Sequence, residues 1–413
     1  MRSGVALIIT CLSVSLSIAY GQVEVRCLAV GQEEFKGRLQ ELQGGKLVLA
    51  AGQEKRALPL GDLQRIEFVS SAKATGQFTW KAWGVSGDVY LLQAMEKPDP
   101  KATALSVRGE GWRAENFKLA RILGVASREF LEKSTDSERE RFDTAMRQMT
   151  SGAPPPYDLL LVTTGARADI LQAQVLDVGP EGIRANFGGR ERTLPWARIR
   201  WAALRAESKG EAAQSGYRLH LADGSVISAS ELSLQGDRLV AAGSAGEFQV
   251  ELSSILRFDV FSPRYQYLSK LKPDRTEITP FFDVGWPPQF DRSVTGEPIV
   301  LGGRTYDYGI GAGTRTEITY QLGGRYAYFY ATAGVDSSAG DRGQVVFRLM
   351  ADAREVFRSA VLSGASQPVK VAVPMKGVQT LTLISDFGSD VRAEGNFADW
   401  ADARLVAAQP SGS

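Results

Sequence analysis

The chain has 413 residues, of which 48 are basic and 47 acidic, and 44% are hydrophobic. This length allows two or more domains of ordinary size, each with a sizeable core. Because the charges balance, no surface of one sign is predicted, and neither nucleic acid nor an anionic membrane is favoured as a partner.

Residues 1–21 have the pattern of a secretory signal peptide. Arg2 precedes an almost entirely apolar stretch from Val5 to Ile18, and small residues stand in Ala19-Tyr20-Gly21. This pattern predicts cleavage near Gly21 and a secreted or periplasmic protein. The alternative is an uncleaved N-terminal anchor, although the stretch is short for a membrane span. No second run of 18 apolar residues follows, so no span is predicted in the mature chain.

The segment between residues 22 and 262 repeats a β pattern with a period of about 45–55 residues. Each copy ends in an apolar triplet at i, i+3 and i+6, which predicts a short helical turn and then a strand. The triplets are Leu60, Leu63 and Ile66; Leu119, Ile122 and Val125; Trp196, Ile199 and Ala202; and Leu252, Ile255 and Phe258. The strand rhythm resembles SH3-like or Sm-like small barrels, predicted at 22–126, 157–206 and 217–262. The alternative is coincidence among ordinary β-hairpins.

One helical segment, residues 127–150, interrupts the β pattern. Ser137 and Glu140 have the spacing of a capping box. An apolar stripe at helical spacing is predicted to dock on a neighbouring barrel. The stripe consists of Phe142, Ala145, Met146 and Met149.

Two polar or proline-rich segments are predicted to connect the units. Residues 151–156 include Pro154-Pro155-Pro156, which predicts a stiff linker and a domain boundary. Residues 207–216 form a second connector, poor in apolar side chains.

The residues needed for common catalytic sites are scarce. After residue 21, His220 is the single histidine and Cys27 the single cysteine. These two residues are too few to make a convincing Ser-His-Asp triad or zinc hydrolase site. Strand alternation predicts Cys27 on a buried face and His220 in solvent, opposite Leu219 and Leu221. Phosphate-binding motifs are also missing. A glycosidase needs only two carboxylates, but no βα-barrel pattern accompanies them. The sequence therefore predicts no enzyme.

Residues 263–408 read as short strands separated by turns, typical of a β-sandwich or jelly roll. Strands at 314–322 and 325–333 are predicted to form a hairpin through Gly323-Gly324. A second hairpin is predicted between strands at 344–350 and 355–359. The fold class is thus mostly β, with small bent barrel-like units, one helical insertion and a C-terminal sandwich.

Four motifs in this last segment occur in the order typical of one domain family. They lie at 266–271, 302–311, 333–336 and 396–405. This order resembles the NPCBM family of carbohydrate-binding modules, which are galactose-binding-like β-sandwiches often attached to secreted glycosidases or to proteins with no enzyme domain. The resemblance implies glycan or cell-envelope polysaccharide as a partner.

The resemblance also supplies ligand-binding residues. Asp336 matches an acidic loop of the family, and Asp399, Trp400 and Asp402 match its closing Asp-Trp-Ala-Asp signature. Carboxylates on loops suit sugar hydroxyls or Ca²⁺, and an aromatic ring can stack on a pyranose. The alternative is structural, with Trp400 filling the core and the aspartates capping turns or pairing with Arg404.

Three positions depart from the family pattern. Gly313 stands where members commonly carry histidine after Gly-Ile-Gly, and Asn396-Phe397 replaces an Asp-His pair. These changes remove polar groups and leave the strand framework intact.

Three functional hypotheses follow from the sequence. The first is a secreted, non-catalytic protein with a glycan-binding sandwich and barrels that act as spacers or docking units. The second is a structural or protein-interaction protein of the cell envelope whose sandwich has lost sugar binding. The third is an accessory part of a glycosidase system.

Overall fold

A computed structural model describes residues 23–31, 33–69, 73–97, 105–151, 153–165, 167–206, 216–279, 286–388 and 395–407. The predicted signal peptide at 1–21 and nearly all of the connector at 207–216 lie outside these residues. The described chain is mostly β, which confirms the predicted fold class. No helix in these ranges is both long and apolar enough to cross a membrane.

The first group of strands is a meander that closes on itself. Its strands are β1 (Glu24–Ala29), β2 (Glu34–Gln43), β3 (Lys46–Ala51), β4 (Glu54–Pro59) and β5 (Leu63–Phe68). Neighbours pair antiparallel from β1 to β4, and β5 returns to pair with β1. Cys27 on β1 is buried, as predicted, and burial raises the pKa of its thiol to about 12.

Three further groups follow, and in each of them the last strand again pairs with the first. The second group has β6 (Trp80–Gly84), β7 (Val89–Leu92), β8 (Ala94–Glu96), β9 (Leu105–Gly109), β10 (Trp112–Phe117) and β11 (Ile122–Ser127). The third has β12 (Asp158–Thr164), β13 (Arg167–Gly179), β14 (Gly182–Phe187), β15 (Arg190–Pro195) and β16 (Ile199–Ala203). The fourth has β17 (Gly216–Leu221), β18 (Val226–Gln235), β19 (Arg238–Gly243), β20 (Gly246–Glu251) and β21 (Ile255–Phe261). The closing pairs are β11 with β6, β16 with β12, and β21 with β17.

Each predicted apolar triplet forms a short helical turn that leads into the closing strand of its group. The 3₁₀ turns are Leu60–Asp62, Leu119–Arg121, Trp196–Arg198 and Leu252–Ser254. The triplets place apolar side chains in one shared core, where Ile66, Ile122 and Phe258 are inaccessible to solvent.

The groups are joined by strand pairing as well as by this core. β5 pairs with β21, β10 with β20, and β11 with β16. The last of these ladders connects strands on either side of the segment 151–156. The barrel-like groups therefore form one hydrogen-bonded block with a common apolar interior.

The helical insertion consists of α1 (Arg128–Lys133) and α2 (Asp136–Thr150). The capping box uses Thr135 and Glu138, because α2 begins at Asp136 and places the predicted Ser137 inside its first turn. The apolar stripe docks on the third group, where Phe142 lies 5.4 Å from the Trp201 ring, in agreement with the predicted docking.

The C-terminal part is a sandwich of two antiparallel sheets. Its strands are β22 (Tyr265–Tyr267), β23 (Arg275–Ile278), β24 (Gln289–Phe290), β25 (Ile299–Leu301), β26 (Arg304–Tyr306), β27 (Gly309–Ala312), β28 (Thr316–Gln321), β29 (Tyr326–Val335), β30 (Val345–Ala351), β31 (Arg354–Arg358), β32 (Val369–Pro374), β33 (Thr380–Phe387) and β34 (Ala398–Ala407). One sheet has the order β23-β28-β33-β30-β31. The other has the order β24-β27-β34-β29-β32, with β22 beside β34.

The predicted hairpin between residues 314–322 and 325–333 is wrong, whereas the hairpin of β30 and β31 is confirmed. β28 pairs with β23 and β33, but β29 belongs to the other sheet. Gly323 and Gly324 both have positive φ and carry the chain from one sheet to the other. Glycine permits such a crossing as readily as a hairpin turn.

Candidate functional site

Three of the four predicted ligand-binding residues lie on β34. This strand is central, since it pairs with β27 on one side and β29 on the other. Nearly all of its residues are buried, so both of its faces are covered. Side chains alternate across a strand, which places Trp400 on the inner face and Asp399 on the outer one.

Trp400 fills the interior of the sandwich. Its side chain has no solvent exposure, and its ring lies 5.1 Å from Phe347 and 6.4 Å from Phe329 in edge-to-face geometry. The indole Nε1 donates to Ser385 Oγ at 3.3 Å. No face of the ring is left for stacking on a sugar, and the placement is that of the structural alternative.

Asp336 and Asp399 come together beneath the surface. The Asp336 carboxylate accepts hydrogen bonds from the backbone N–H groups of Val300 and Ser338 at 2.8 and 2.9 Å. It thereby ties β25 to the turn after β29. Asp399 has no solvent exposure, and neither of its oxygens finds a hydrogen-bond donor among the described residues.

Burial raises the pKa of the Asp399 carboxyl well above its usual range. The adjacent Asp336 adds to this rise. A neutral Asp399 can share its proton with Asp336, which removes the repulsion between two buried charges.

The same pair brings together two carboxylates of the kind that suits Ca²⁺. Ca²⁺ takes six to eight oxygen ligands in proteins. Asp336 and Asp399 supply carboxylates and Ser293 a buried hydroxyl, but no group of three acidic, histidine or cysteine side chains suited to a metal occurs in the described ranges. These donors make up only part of a Ca²⁺ shell.

We expect Asp399→Asn to stabilise the protein at neutral pH. The folded pKa of Asp399 lies above its unfolded value, so ionisation opposes folding as pH rises from about 4 toward that folded pKa. Each unit of this pKa difference corresponds to about 1.4 kcal/mol. Thermal unfolding should therefore give a higher midpoint for the variant at pH 7 and convergence of the two proteins near pH 4.

Asp336→Asn is the matched control and should destabilise, because it replaces one of two oxygens that accept backbone hydrogen bonds. Lower stability of Asp399→Asn at pH 7 would contradict the shared proton. A midpoint that rises with Ca²⁺ in the parent chain, but not in Asp399→Asn, would assign the pair to a metal instead.

Asp402 lies apart from the other two aspartates, at a bulge in β34. The pairing of β29 with β34 is irregular here, and Asp402 has a φ of 50°. Burial raises the pKa of its carboxyl, whereas the nearby charges of Arg404, Arg65 and Arg304 lower it. The bulge turns Asp402 toward the contact between the sandwich and β1–β5.

His220 is not in solvent, which corrects the prediction from strand alternation. Its Nε2 lies 3.1 Å from Asp259 Oδ2, and its side chain is 20% exposed. Arg65 Nε donates to the other oxygen of Asp259 at 2.7 Å, and Arg65 also pairs with Asp307 of the sandwich at 3.1 Å. The face opposite Leu219 and Leu221 is covered by this ionic network.

An exposed aromatic side chain lies at one end of the sandwich. Trp286 is 46% exposed, and its ring centroid is 6.4 Å from that of the partly buried Phe397. A Cβ atom at Gly313 would lie 3.4 Å from the Cβ of Trp286. Asn396 is anchored next to Phe397, since its Oδ1 accepts from the Gln344 N–H at 2.7 Å. We call Trp286, Gly313, Asn396 and Phe397 the Trp286 surface.

The departures from the family pattern thus fall together on this one surface. Gly313, Asn396 and Phe397 are recognisable in the sequence as departures from the family pattern, whereas Trp286 is not. A lone tryptophan before Pro287-Pro288 has no periodicity that reveals exposure. Its signal was the combination of a large aromatic residue with a proline-rich loop, which cannot be a central strand.

Comparison with known proteins confirms the family resemblance. Residues 264–406 match the family model described as the NPCBM/NEW2 domain. The protein named "Putative endo-alpha-N-acetylgalactosaminidase" from Renibacterium salmoninarum is 30% identical over 135 residues, which are 30% of this chain. The match covers 9% of that curated relative's length.

Solved structures of carbohydrate-binding modules are also similar. CBM51 from Clostridium perfringens GH95, in complex with methyl-galactose, is 31% identical, with 34% of this chain and 99% of that one covered and a TM-score of 0.32. The tandem CBM51 modules of the family 98 glycoside hydrolase from Streptococcus pneumoniae are 14% identical, with 65% and 91% covered and a TM-score of 0.31.

Proposed function

We propose that this is a secreted, non-catalytic protein that binds glycan through the Trp286 surface of its C-terminal sandwich. The observation that carries the proposal is the half-exposed indole of Trp286 on a domain that matches the NPCBM/NEW2 family. Secretion rests on the signal-peptide pattern of residues 1–21.

An exposed indole suits a sugar because the two surfaces are complementary. A pyranose presents C–H groups on one face, and an aromatic ring can stack on them while hydroxyls at the ring edge reach polar groups. Gly313 leaves space beside the indole, and the Phe397 ring lies 6.4 Å from it. Asn396 and Thr314 provide polar atoms nearby, with Asn396 Nδ2 3.5 Å from Thr314 Oγ1.

The non-catalytic part of the proposal rests on the histidine that could act as a catalytic base, because its ring is already bound by neighbouring charged side chains. His220 is held by Asp259 and Arg257 in the contact with the sandwich. The barrel-like groups then serve as a rigid mount for the sandwich, since their core is continuous and Arg65 and Arg257 pair with Asp307 of the sandwich.

A role as an accessory of a glycosidase system is the second candidate. It is favoured by the match of 135 residues to a small part of a much longer relative whose name is that of a glycosidase. In that case the chain would bring sugar binding, and a separate enzyme would supply hydrolysis.

Trp286→Ala is expected to weaken glycan binding by about tenfold or more, the effect of losing one well-placed aromatic contact. The full-length mature chain would be screened on a glycan array, and the strongest ligand titrated by calorimetry. Tyr328→Ala is the control, because Tyr328 is 43% exposed and pairs with the far end of β34, opposite Val406.

Equal losses in both variants would point to a general effect and contradict a site at Trp286. No binding to any arrayed glycan by the folded parent chain would favour the structural or protein-interaction alternative. Hydrolysis of glycosides by the purified chain would overturn the non-catalytic assignment.

A further inference from the structure

A cavity of about 250 Å³ lies where the first strands meet the sandwich. Leu28 and Glu34 line it from β1 and β2, and the other wall belongs to the sandwich. We call it the β34 cavity, because Asp402 and Arg404 of that strand line it. Its volume is just below the roughly 300–1,000 Å³ typical of pockets for drug-sized ligands, which suits a single sugar ring.

Two charged side chains of the cavity lack their full set of hydrogen bonds. Asp402 is 6% exposed and Arg404 1% exposed. Asp402 Oδ1 and Arg404 Nε have no hydrogen-bond partner within the described part of the chain. A buried polar atom left in this state is costly, and native proteins rarely keep one without a bound water, ion or ligand.

Arg404 is fixed from both sides of the contact. Its Nη1 donates to the Asp402 carbonyl oxygen and its Nη2 to the Val30 carbonyl oxygen, both at 3.1 Å. The guanidinium also lies over the Tyr330 ring at 5.4 Å. Its position is therefore set before any ligand enters, which lowers the entropic cost of binding.

The mouth of the cavity is more basic than acidic. Arg304 and Lys370 are exposed there, against one exposed carboxylate, Glu34. The nearest acidic partner of Arg304 is Glu67 at 3.9 Å, a separation that leaves its charge only weakly paired. An anionic substituent on a ligand would find two cations at this rim.

We propose that the β34 cavity binds a uronic acid, either as a free sugar or as a residue of an acidic polysaccharide. Sugar hydroxyls would use the free Asp402 and Arg404 atoms, and the sugar carboxylate would face Arg304 and Lys370. This site involves β1 and β2 as well as the sandwich and is separate from the Trp286 surface. It extends the proposed glycan binding to a second site with its own ligand class.

The test titrates the full-length mature chain with methyl galacturonoside and with methyl galactoside, followed by NMR. The uronoside should bind more tightly than the neutral sugar, and the preference should shrink as salt is raised. Lys370→Gln should weaken uronoside binding about two- to fivefold, the effect of one exposed charge pair. Lys376→Gln, an exposed lysine outside the cavity, should change nothing.

Asp402→Asn probes the floor and should weaken binding of the uronoside by about two- to tenfold, because an NH2 donor replaces one of the two carboxyl oxygens that can accept from a sugar hydroxyl. Asparagine tolerates the positive φ at this position. Competition by an oligogalacturonide would identify a polysaccharide as the source, and binding of the monosaccharide alone would identify a free sugar.

Trp286→Ala should leave uronoside binding unchanged, which separates this site from the proposed glycan surface. Failure of the uronoside to bind at millimolar concentration, while Trp286-dependent glycan binding persists, would overturn the cavity proposal alone. Binding that is insensitive to both Lys370→Gln and Asp402→Asn would also overturn it.

Discussion

Replacing Trp400 by alanine is expected to lower the free energy of unfolding by about 3–5 kcal/mol, the usual effect of truncating a buried large aromatic side chain. The indole is fully buried between Phe329 and Phe347, so its removal leaves a cavity that the two sheets cannot close. The Ser385 hydroxyl also loses the indole N–H that donates to it. Urea denaturation of the full-length chain measures the loss.

Two variants make this measurement specific. Trp400→Phe keeps an aromatic ring in the core and should cost less than Trp400→Ala. Trp286→Ala removes an indole that is 46% exposed and should change stability by about 0.5 kcal/mol or less, as at most surface sites. An unchanged unfolding midpoint for Trp400→Ala would show that the indole is not a core residue and would restore it as a candidate for sugar stacking.

The sequence predicted the positions of strands and turns in this protein better than the pairing of the strands into sheets. The apolar triplets located four short helical turns because spacing at i, i+3 and i+6 reports one face of a single local element. Gly323-Gly324 predicted a turn but not its geometry, because the same residues serve a hairpin and a crossing between sheets.

At the candidate site, too, the sequence predicted the local position of a side chain but not the residues that contact it. Alternation placed His220 opposite Leu219 and Leu221, but it could not show that Arg257 and Asp259 meet it there. The Asp-Trp-Ala-Asp signature located a central strand, whereas the burial of its outer face depends on β25, β26 and Val30 and that of its inner face on β30. All of these are distant from the signature in sequence. Such long-range contacts have no local pattern.

Asp259→Ala is expected to destabilise the protein by about 3–5 kcal/mol, the effect of removing one partner from a buried ion pair. Arg65 would keep a charge on a side chain that is only 6% exposed, with Asp307 as its remaining partner. Burial opposes ionisation of Asp259, but the hydrogen bond from His220 and the charges of Arg65 and Arg257 outweigh it and hold the pKa of this carboxyl well below its usual range.

This depressed pKa fixes the sign of the pH dependence. The contribution of Asp259 is complete above its unfolded pKa of about 4 and is lost progressively as pH falls toward the folded value. The difference in unfolding free energy between the parent chain and Asp259→Ala should therefore be largest at neutral pH and shrink below pH 4. Asp399 acts in the opposite direction, so the Asp259 effect is best measured in an Asp399→Asn background.

The network also couples the barrel-like block to the sandwich, because Asp259 and Arg65 belong to the block and Asp307 to the sandwich. Asp259→Ala removes the partner of Arg65 within the block and leaves the Arg65–Asp307 pair across the contact. The double variant Arg65→Leu with Asp259→Leu should recover much of the lost stability, since no buried charge is left unpaired. Arg184→Ala, which breaks the exposed pair with Glu191, should cost about 0–1 kcal/mol. A similarly small cost for Asp259→Ala would mean that water reaches Arg65 and would contradict a buried Arg65–Asp259 pair.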